Sequence, residues 1–150
     1  MRPTSLGCRA SCRCARHRNR TRRCHDSASA GHNAPVLRSA DGTCRFLEFE
    51  GGQVLGFDET AEFPAWKSRL EPGDTLLLYT DGVTEATDAE NELFGDARLL
   101  ATVKDSNALT CFEAIGNLKS NVDVFIAGAP QFDDITIVAI KKTGGEKTDV

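Results

Sequence analysis

The sequence contains no apolar run near the 18 or so residues that a membrane-spanning helix requires. Its N-terminus also lacks the apolar segment, about 7 to 15 residues long, of a secretory signal. Cysteine is sparse after residue 30, where only Cys44 and Cys111 occur, so the main body has no disulfide framework. These absences exclude a membrane protein and a disulfide-stapled secreted domain, and they predict a single cytoplasmic domain with one modest core.

Charge divides the chain into two unlike parts. Residues 1–30 carry eight Arg and one Asp, a net charge of +7, whereas residues 31–150 carry ten Lys or Arg against 21 Asp or Glu, a net charge of -11. Residues 1–29 show neither the 3.6-residue nor the 2-residue periodicity of a buried face. We therefore predict a disordered basic segment over 1–29, an organised domain over 30–142 and a polar tail over 143–150.

The basic segment admits several interpretations. A zinc site would need the paired spacing of common zinc knuckles, and the thiols lack it; the possible ligands are Cys8, Cys12, Cys14, Cys24 and His25. A nucleic-acid arm would use the arginines, but the segment has no aromatic residue for base stacking, so nucleic acid is not an expected partner. A transit peptide would need an amphipathic face. The composition also matches translation in another reading frame, joined to the domain near residue 29.

In the organised domain, turn-forming residues separate segments with the patterns of strands and helices. Asp41-Gly42 predicts a hairpin turn, and residues 71–74, Glu-Pro-Gly-Asp, predict a type II turn before a buried strand at Thr75–Tyr79. Helices are predicted over residues 97–104, with Asp96 as N-cap, and over residues 109–125. The second helix should present one apolar stripe, formed by Phe112, Ile115, Leu118, Val122 and Phe125. Strands around a block of helices predict an α+β fold with antiparallel sheet.

Two acidic corners carry the chemistry. Asp81 follows the first strong apolar run, and Asp133 precedes the last one, at residues 135–140. If those runs pair as antiparallel strands, both carboxylates lie at one edge of a sheet. Carboxylate oxygens are ligands that suit Mg²⁺ and Mn²⁺, so the pattern predicts a metal site with Asp81 and Asp133 as its ligands.

Four motifs, in this order and spacing, resemble the C-terminal half of the PPM-type metal-dependent serine/threonine phosphatases, in the branch of stage II sporulation protein E and the sigma-factor regulatory phosphatases. They are Ala-Gly-His-Asn-Ala-Pro at 30–35, the run from Leu70 to Ala86, Glu-Leu-Phe-Gly at 92–95, and Asp-Asp-Ile-Thr at 133–136. The resemblance spans about residues 30–142.

The resemblance implies a partial β-sandwich of antiparallel sheets flanked by helices, with the N-terminal strands missing, and two Mn²⁺ or Mg²⁺ ions at one end. Asp81 matches the Asp of the family's T-D-G motif, Asp133 matches the metal-binding Asp of its final motif, and Asp134 matches a less strictly required position. By the same resemblance Asp81 and Asp133 are the catalytic, metal-binding residues, and His32 is a structural turn residue. Glu85 is either a residue behind the metal ligands or a solvated one.

One family motif is absent from these 150 residues. It is the D-x-x-G-H-G element, whose Asp bridges the two ions, and Asp26 is a poor substitute because Ser27 and Ala28 follow it. We therefore expect a phosphoprotein phosphatase domain that is inactive or impaired in this form, whose intact relative would act on a phosphorylated regulatory partner such as an anti-anti-sigma factor. The alternative is a noncatalytic interaction module derived from such a phosphatase.

Overall fold

The structure is a computed structural model that describes residues 24–48, 53–106, 110–130 and 133–144. Within these ranges the chain forms six strands and three helices. The strands are β1 (Cys24–Ser27), β2 (Val36–Arg38), β3 (Cys44–Phe46), β4 (Trp66–Arg69), β5 (Thr75–Tyr79) and β6 (Ile137–Lys141). The helices are α1 (Asp81–Thr84), α2 (Gly95–Asp105) and α3 (Cys111–Ile126). None of the helices in these ranges is long and apolar enough to span a membrane.

The main sheet has four antiparallel strands in the order β3-β2-β5-β6. The β2–β3 hairpin turns at Asp41-Gly42 as predicted, with the Gly42 N–H donating to the Ser39 carbonyl at 2.9 Å. The predicted turn before β5 also forms, because Gly73 adopts a φ of +96° and the Asp74 N–H donates to the Glu71 carbonyl at 3.0 Å. The α+β class and the antiparallel sheet are therefore confirmed.

A second, two-stranded sheet pairs β1 with β4, with Cys24 opposite Arg69 and Ser27 opposite Trp66. This pairing corrects the prediction that residues 1–29 are disordered throughout, since Cys24–Ser27 form a strand. The sequence did not reveal it because the strand is polar and is stabilised by a partner about 40 residues away. The candidate zinc thiols Cys8, Cys12 and Cys14 lie outside the described residues, as do residues 145–150 of the tail.

The helices cover one face of the main sheet. The core between them includes Val36 and Leu77 from the sheet, Leu99 from α2, and Leu118 and Val122 from α3, each at most 1% exposed. An edge-to-face contact between Phe94 and Phe125, with ring centroids 5.5 Å apart, extends this core. Thr110 caps α3 in a capping box with Glu113.

Two details of the predicted helices were wrong. The N-cap of α2 is Phe94, so Asp96 lies inside the first turn, where its charge still complements the helix dipole. Phe112 does not belong to the buried stripe of α3, because it is 85% exposed. The helix begins at Cys111, and its buried face runs instead through Leu118, Val122 and Ile126.

The opposite face of the main sheet, here called the outer face, is only partly covered. Leu37 packs there with Leu47, Leu70 and Leu76 in a small second core. Three further apolar residues of this face remain largely exposed: Leu78 at 38%, Val138 at 48% and Ile140 at 48%. The outer face thus combines a small core at one side with exposed apolar side chains at the other.

Candidate functional site

The two acidic corners lie at one end of the β5–β6 pair. The strands are antiparallel with Tyr79 opposite Ile137, so the chain leaves β5 at the same end at which it enters β6. Asp81 follows β5 as the first residue of α1, and Asp133 lies four residues before β6. The strand pairing predicted from the two apolar runs is therefore confirmed.

Thr80 joins the two segments at this corner. Its N–H donates to the Thr136 carbonyl at 3.1 Å, and its hydroxyl donates to the Asp134 carbonyl at 2.8 Å. The same hydroxyl accepts the Thr136 N–H at 3.0 Å. Sequence analysis gave Thr80 no role, although a hydroxyl residue between a buried strand and an Asp-Gly pair is a signal for such a contact. These hydrogen bonds fix the position of the loop before β6 relative to Asp81.

Gly82 allows the close approach of the two segments. A Cβ atom at this position would lie 2.6 Å from the Asp134 carbonyl oxygen and 3.3 Å from the Asp133 carbonyl oxygen. No other amino acid fits there without displacing the loop. The Gly of the Asp81-Gly82 pair is therefore required for space, since Gly82 is not among the described residues with positive φ.

Both candidate carboxylates are exposed, and each accepts the N–H of the next residue. The Asp81 carboxylate accepts the Gly82 N–H at 3.0 Å, and the Asp133 carboxylate accepts the Asp134 N–H at 2.7 Å. A carboxylate has several acceptor positions, so one such bond orients the side chain and is compatible with a metal ligand. The arrangement can offer two hard oxygen ligands to a cation.

We tested this donor set against the two-ion centre that the resemblance implies. Across the described ranges, no three His, Cys, Asp or Glu side chains form a group that could hold a metal ion. Mg²⁺ retains several waters and binds through one or two carboxylates, so two exposed carboxylates suit one hydrated ion. The described residues therefore lack the group of three or more ligands that a bridged pair of ions would need, and Asp81 and Asp133 stay the candidate ligands of one hydrated cation.

An open cleft of about 400 Å³ adjoins Asp81 and includes His32 and Tyr79 in its lining. His32 is exposed, and its backbone carbonyl accepts the Ser29 hydroxyl at 3.4 Å. Burial, followed by the negative charge of Asp96, raises the pKa of Tyr79 to about 12, so this phenol is neutral at physiological pH. Glu85 is exposed, and its N–H donates to the Asp81 carbonyl at 2.8 Å.

Comparisons with known proteins identify the family of this chain. The family model described as stage II sporulation protein E (SpoIIE) matches residues 4–143. The chain belongs to the SpoIIE family. The match begins upstream of the boundary predicted near residue 29, whereas the motifs quoted above begin at residue 30.

Among the SpoIIE relatives, Protein IcfG of Synechocystis sp. is 33% identical over 112 residues, which cover 75% of this chain and 17% of IcfG. The phosphoserine phosphatase RsbU of Bacillus subtilis is 28% identical over 116 residues, which cover 77% of this chain and 34% of RsbU. The chain thus spans about a sixth and a third of these two relatives.

The solved phosphatase domain of SpoIIE from Bacillus subtilis, from a crystal presoaked with Mn, shares the fold. Its TM-score is 0.63 at 14% identity, and the match covers 81% of this chain and 52% of that domain. This SpoIIE-family chain therefore has the α+β architecture of the PP2C-type phosphatase domains over roughly half of such a domain.

Proposed function

We propose that this chain is the C-terminal part of a SpoIIE-type metal-dependent phosphatase acting on phosphoserine or phosphothreonine in a protein. The observation that carries the proposal is the corner at the end of the β5–β6 pair, where Thr80 fastens the Asp133 loop beside Asp81. In this proposal Asp81 and Asp133 are metal ligands, and the substrate is a phosphorylated regulatory protein such as an anti-anti-sigma factor. The similarity to the phosphoserine phosphatase RsbU supports the substrate class.

The metal in this proposal is Mn²⁺ or Mg²⁺, which would activate water and neutralise charge on the phosphoryl group. Asp81 and Asp133 would orient one such hydrated ion, while Thr80 and Gly82 keep the two ligand loops together. A bridged pair of ions needs a further carboxylate, and these 150 residues contain no D-x-x-G-H-G motif to supply it. We therefore infer that the chain by itself binds metal weakly and has little or no turnover.

Calorimetric titration of the full chain with Mn²⁺ tests the metal site. We expect wild-type binding in the range of about 0.1 to 1 mM, weakened at least about tenfold by Asp81→Asn, because one of two carboxylate ligands is lost. Asp105→Asn is the matched control, since Asp105 is an exposed aspartate at the end of α2. Equal binding by wild type and Asp81→Asn would contradict the site, and micromolar binding would contradict the inferred impairment.

A noncatalytic interaction module is the second candidate, and the exposed apolar residues of the outer face favour it. Leu78, Val138 and Ile140 offer a surface on which another polypeptide could pack. Mn²⁺ binding and hydrolysis of an aryl phosphate together separate the two candidates. Mn²⁺ binding that Asp81→Asn weakens, with or without hydrolysis, supports the phosphatase, whereas a chain that neither binds Mn²⁺ through Asp81 nor hydrolyses the phosphate supports the module.

A further inference from the structure

The cleft beside Asp81 has an apolar border that the proposed chemistry does not use. We name residues Val54–Phe57 the lip. Val54 and Leu55 line the cleft together with His32 and Asp81. The lip is exposed despite its apolar character, with Val54 at 64%, Leu55 at 68% and Phe57 at 84%. Three exposed apolar side chains within four residues, next to a candidate active site, form a surface suited to a binding partner.

The lip is seated against the turn that carries His32. A Cβ atom on Gly31 would lie 2.9 Å from Val54 Cγ2, and Gly31 has a φ of +89°. The Phe57 N–H donates to the Val54 carbonyl at 3.4 Å, which closes the lip into a turn. Among the lip residues, Val54 is the one that contacts the turn at Gly31, so Leu55, which also lines the cleft, can be changed without removing that contact.

Charge around the cleft indicates what kind of occupant fits. No Lys or Arg is found among the described residues that line it, so only a metal ion held at Asp81 would give a phosphate dianion a cationic contact there. Selectivity between phosphorylated substrates must then come from the residues that flank the phosphate. Immediately after the lip, Asp58, Glu59 and Glu62 are exposed and negative. The backbone N–H and the hydroxyl of Thr60 both donate to the Asp58 carboxylate, which lowers the pKa of Asp58 and favours its ionised form.

We propose that the lip binds an apolar side chain adjacent to the phosphorylated residue of a protein substrate. The acidic residues after the lip favour a basic residue beyond that apolar side chain. The occupant is thus a phosphoserine segment with an apolar neighbour and a flanking Lys or Arg. This inference rests on the proposed phosphatase function, and it adds the determinant of substrate choice.

A peptide series tests the proposal with the full 150-residue chain and Mn²⁺ present. The probes are short fluorescent phosphoserine peptides with a flanking Lys, which differ only in carrying Leu or Ser beside the phosphoserine. Fluorescence anisotropy should show about tenfold tighter binding of the Leu peptide, the effect of partly burying one leucine. Leu55→Ser should reduce this preference below about threefold. Phe112→Ser is the control, because Phe112 is an apolar residue on α3 that is even more exposed, at 85%, and its loss should leave the preference intact.

Unphosphorylated copies of the same peptides test the lip separately from the proposed phosphatase function. If the Leu peptide binds equally well with and without phosphate, and Leu55→Ser still weakens it, the lip is supported and the phosphatase function is contradicted. If phosphate strengthens binding while Leu and Ser peptides bind alike, the lip proposal is overturned and the function stands. Absence of binding by every peptide also overturns the lip proposal, while the Mn²⁺ titration then judges the metal site independently.

Discussion

Two aspartates flank the same strand, β5, and the protein uses them in opposite ways. Asp74 precedes the strand and is 6% exposed. Its two carboxylate oxygens accept backbone N–H groups, from Ala40 at 3.0 Å and from Glu71 at 2.7 Å. Asp81 follows the strand, is exposed, and accepts an N–H only from the adjacent Gly82 among the bonds described for its side chain.

The backbone at the Asp74 end of β5 also makes structural hydrogen bonds. The Lys142 N–H donates to the Asp74 carbonyl at 2.9 Å, and the Gly73 N–H donates to the Lys142 carbonyl at 2.8 Å. The Lys142 ammonium also donates to the Leu70 carbonyl. At the Asp81 end, by contrast, Thr80 makes the cross-links and leaves the carboxylates facing solvent. At the Asp74 end the carboxylate itself makes the structural bonds, whereas at the Asp81 end Thr80 makes them and the Asp81 carboxylate stays available for the proposed metal.

The largest expected effect comes from placing the same substitution at each end. Asp74→Asn should lower the free energy of unfolding by about 2 to 3 kcal/mol, because one side-chain acceptor becomes a donor facing a backbone N–H. Urea denaturation of both variants measures the difference, with Asp81→Asn as the matched isosteric control. A loss below about 0.5 kcal/mol at Asp74 would show that its two bonds do not stabilise this end.

Gly82→Ala should have the next largest effect. The added methyl group would meet the Asp134 carbonyl oxygen at 2.6 Å, so we expect a loss of about 2 kcal/mol and weaker Mn²⁺ binding as the loop moves. Gly116→Ala is the control, because no atom lies within 4 Å of a Cβ built at this position in α3. That change should stabilise the protein by about 0.5 to 1 kcal/mol. Unchanged stability in Gly82→Ala would mean that the two loops do not need their close approach.

A smaller effect is expected at high pH. Burial raises the pKa of Tyr79 to about 12 in the folded protein, above the value of about 10 expected when unfolded. As pH rises, the Tyr79 phenol therefore ionises first in the unfolded state. The contribution of the neutral phenol to the free energy of unfolding is complete below about pH 10 and is lost as pH rises toward 12. Between about pH 9 and about pH 11, the midpoint of urea denaturation should fall more for the wild type than for Tyr79→Phe. An equal fall in both proteins would exclude Tyr79 as the cause.

The smallest expected effect on stability is that of Asp81→Asn. The Asn side-chain oxygen can still accept the Gly82 N–H, and the position is exposed, so the change should stay within about 0.5 kcal/mol. The same urea series provides the measurement. A loss as large as that of Asp74→Asn would remove the contrast between the two ends and make Asp81 a structural residue.

Much of the fold could be predicted from local signals. The strand at Thr75–Tyr79, the turn before it and the hairpin at Asp41-Gly42 all formed as expected, because Pro, Gly and apolar runs act within a few residues. Less local features were missed. Phe112 fits the helical spacing yet is exposed, because in the first turn of α3 it is Ala114 that packs against the core. The β1–β4 pair was missed because register between distant strands has no local signature.

The sequence by itself determined the family, the pairing of β5 with β6, the two longer helices, and the two residues proposed as metal ligands. The order of the motifs can be read without a structure, because each motif specifies the backbone conformation of its own few residues. Only the tertiary structure decided how the corner is held together and what borders it. Thr80 and Gly82 act through contacts with residues more than 50 positions away, and the lip meets Gly31 only when the chain is folded. Such contacts depend on three-dimensional proximity, which the order of residues does not display.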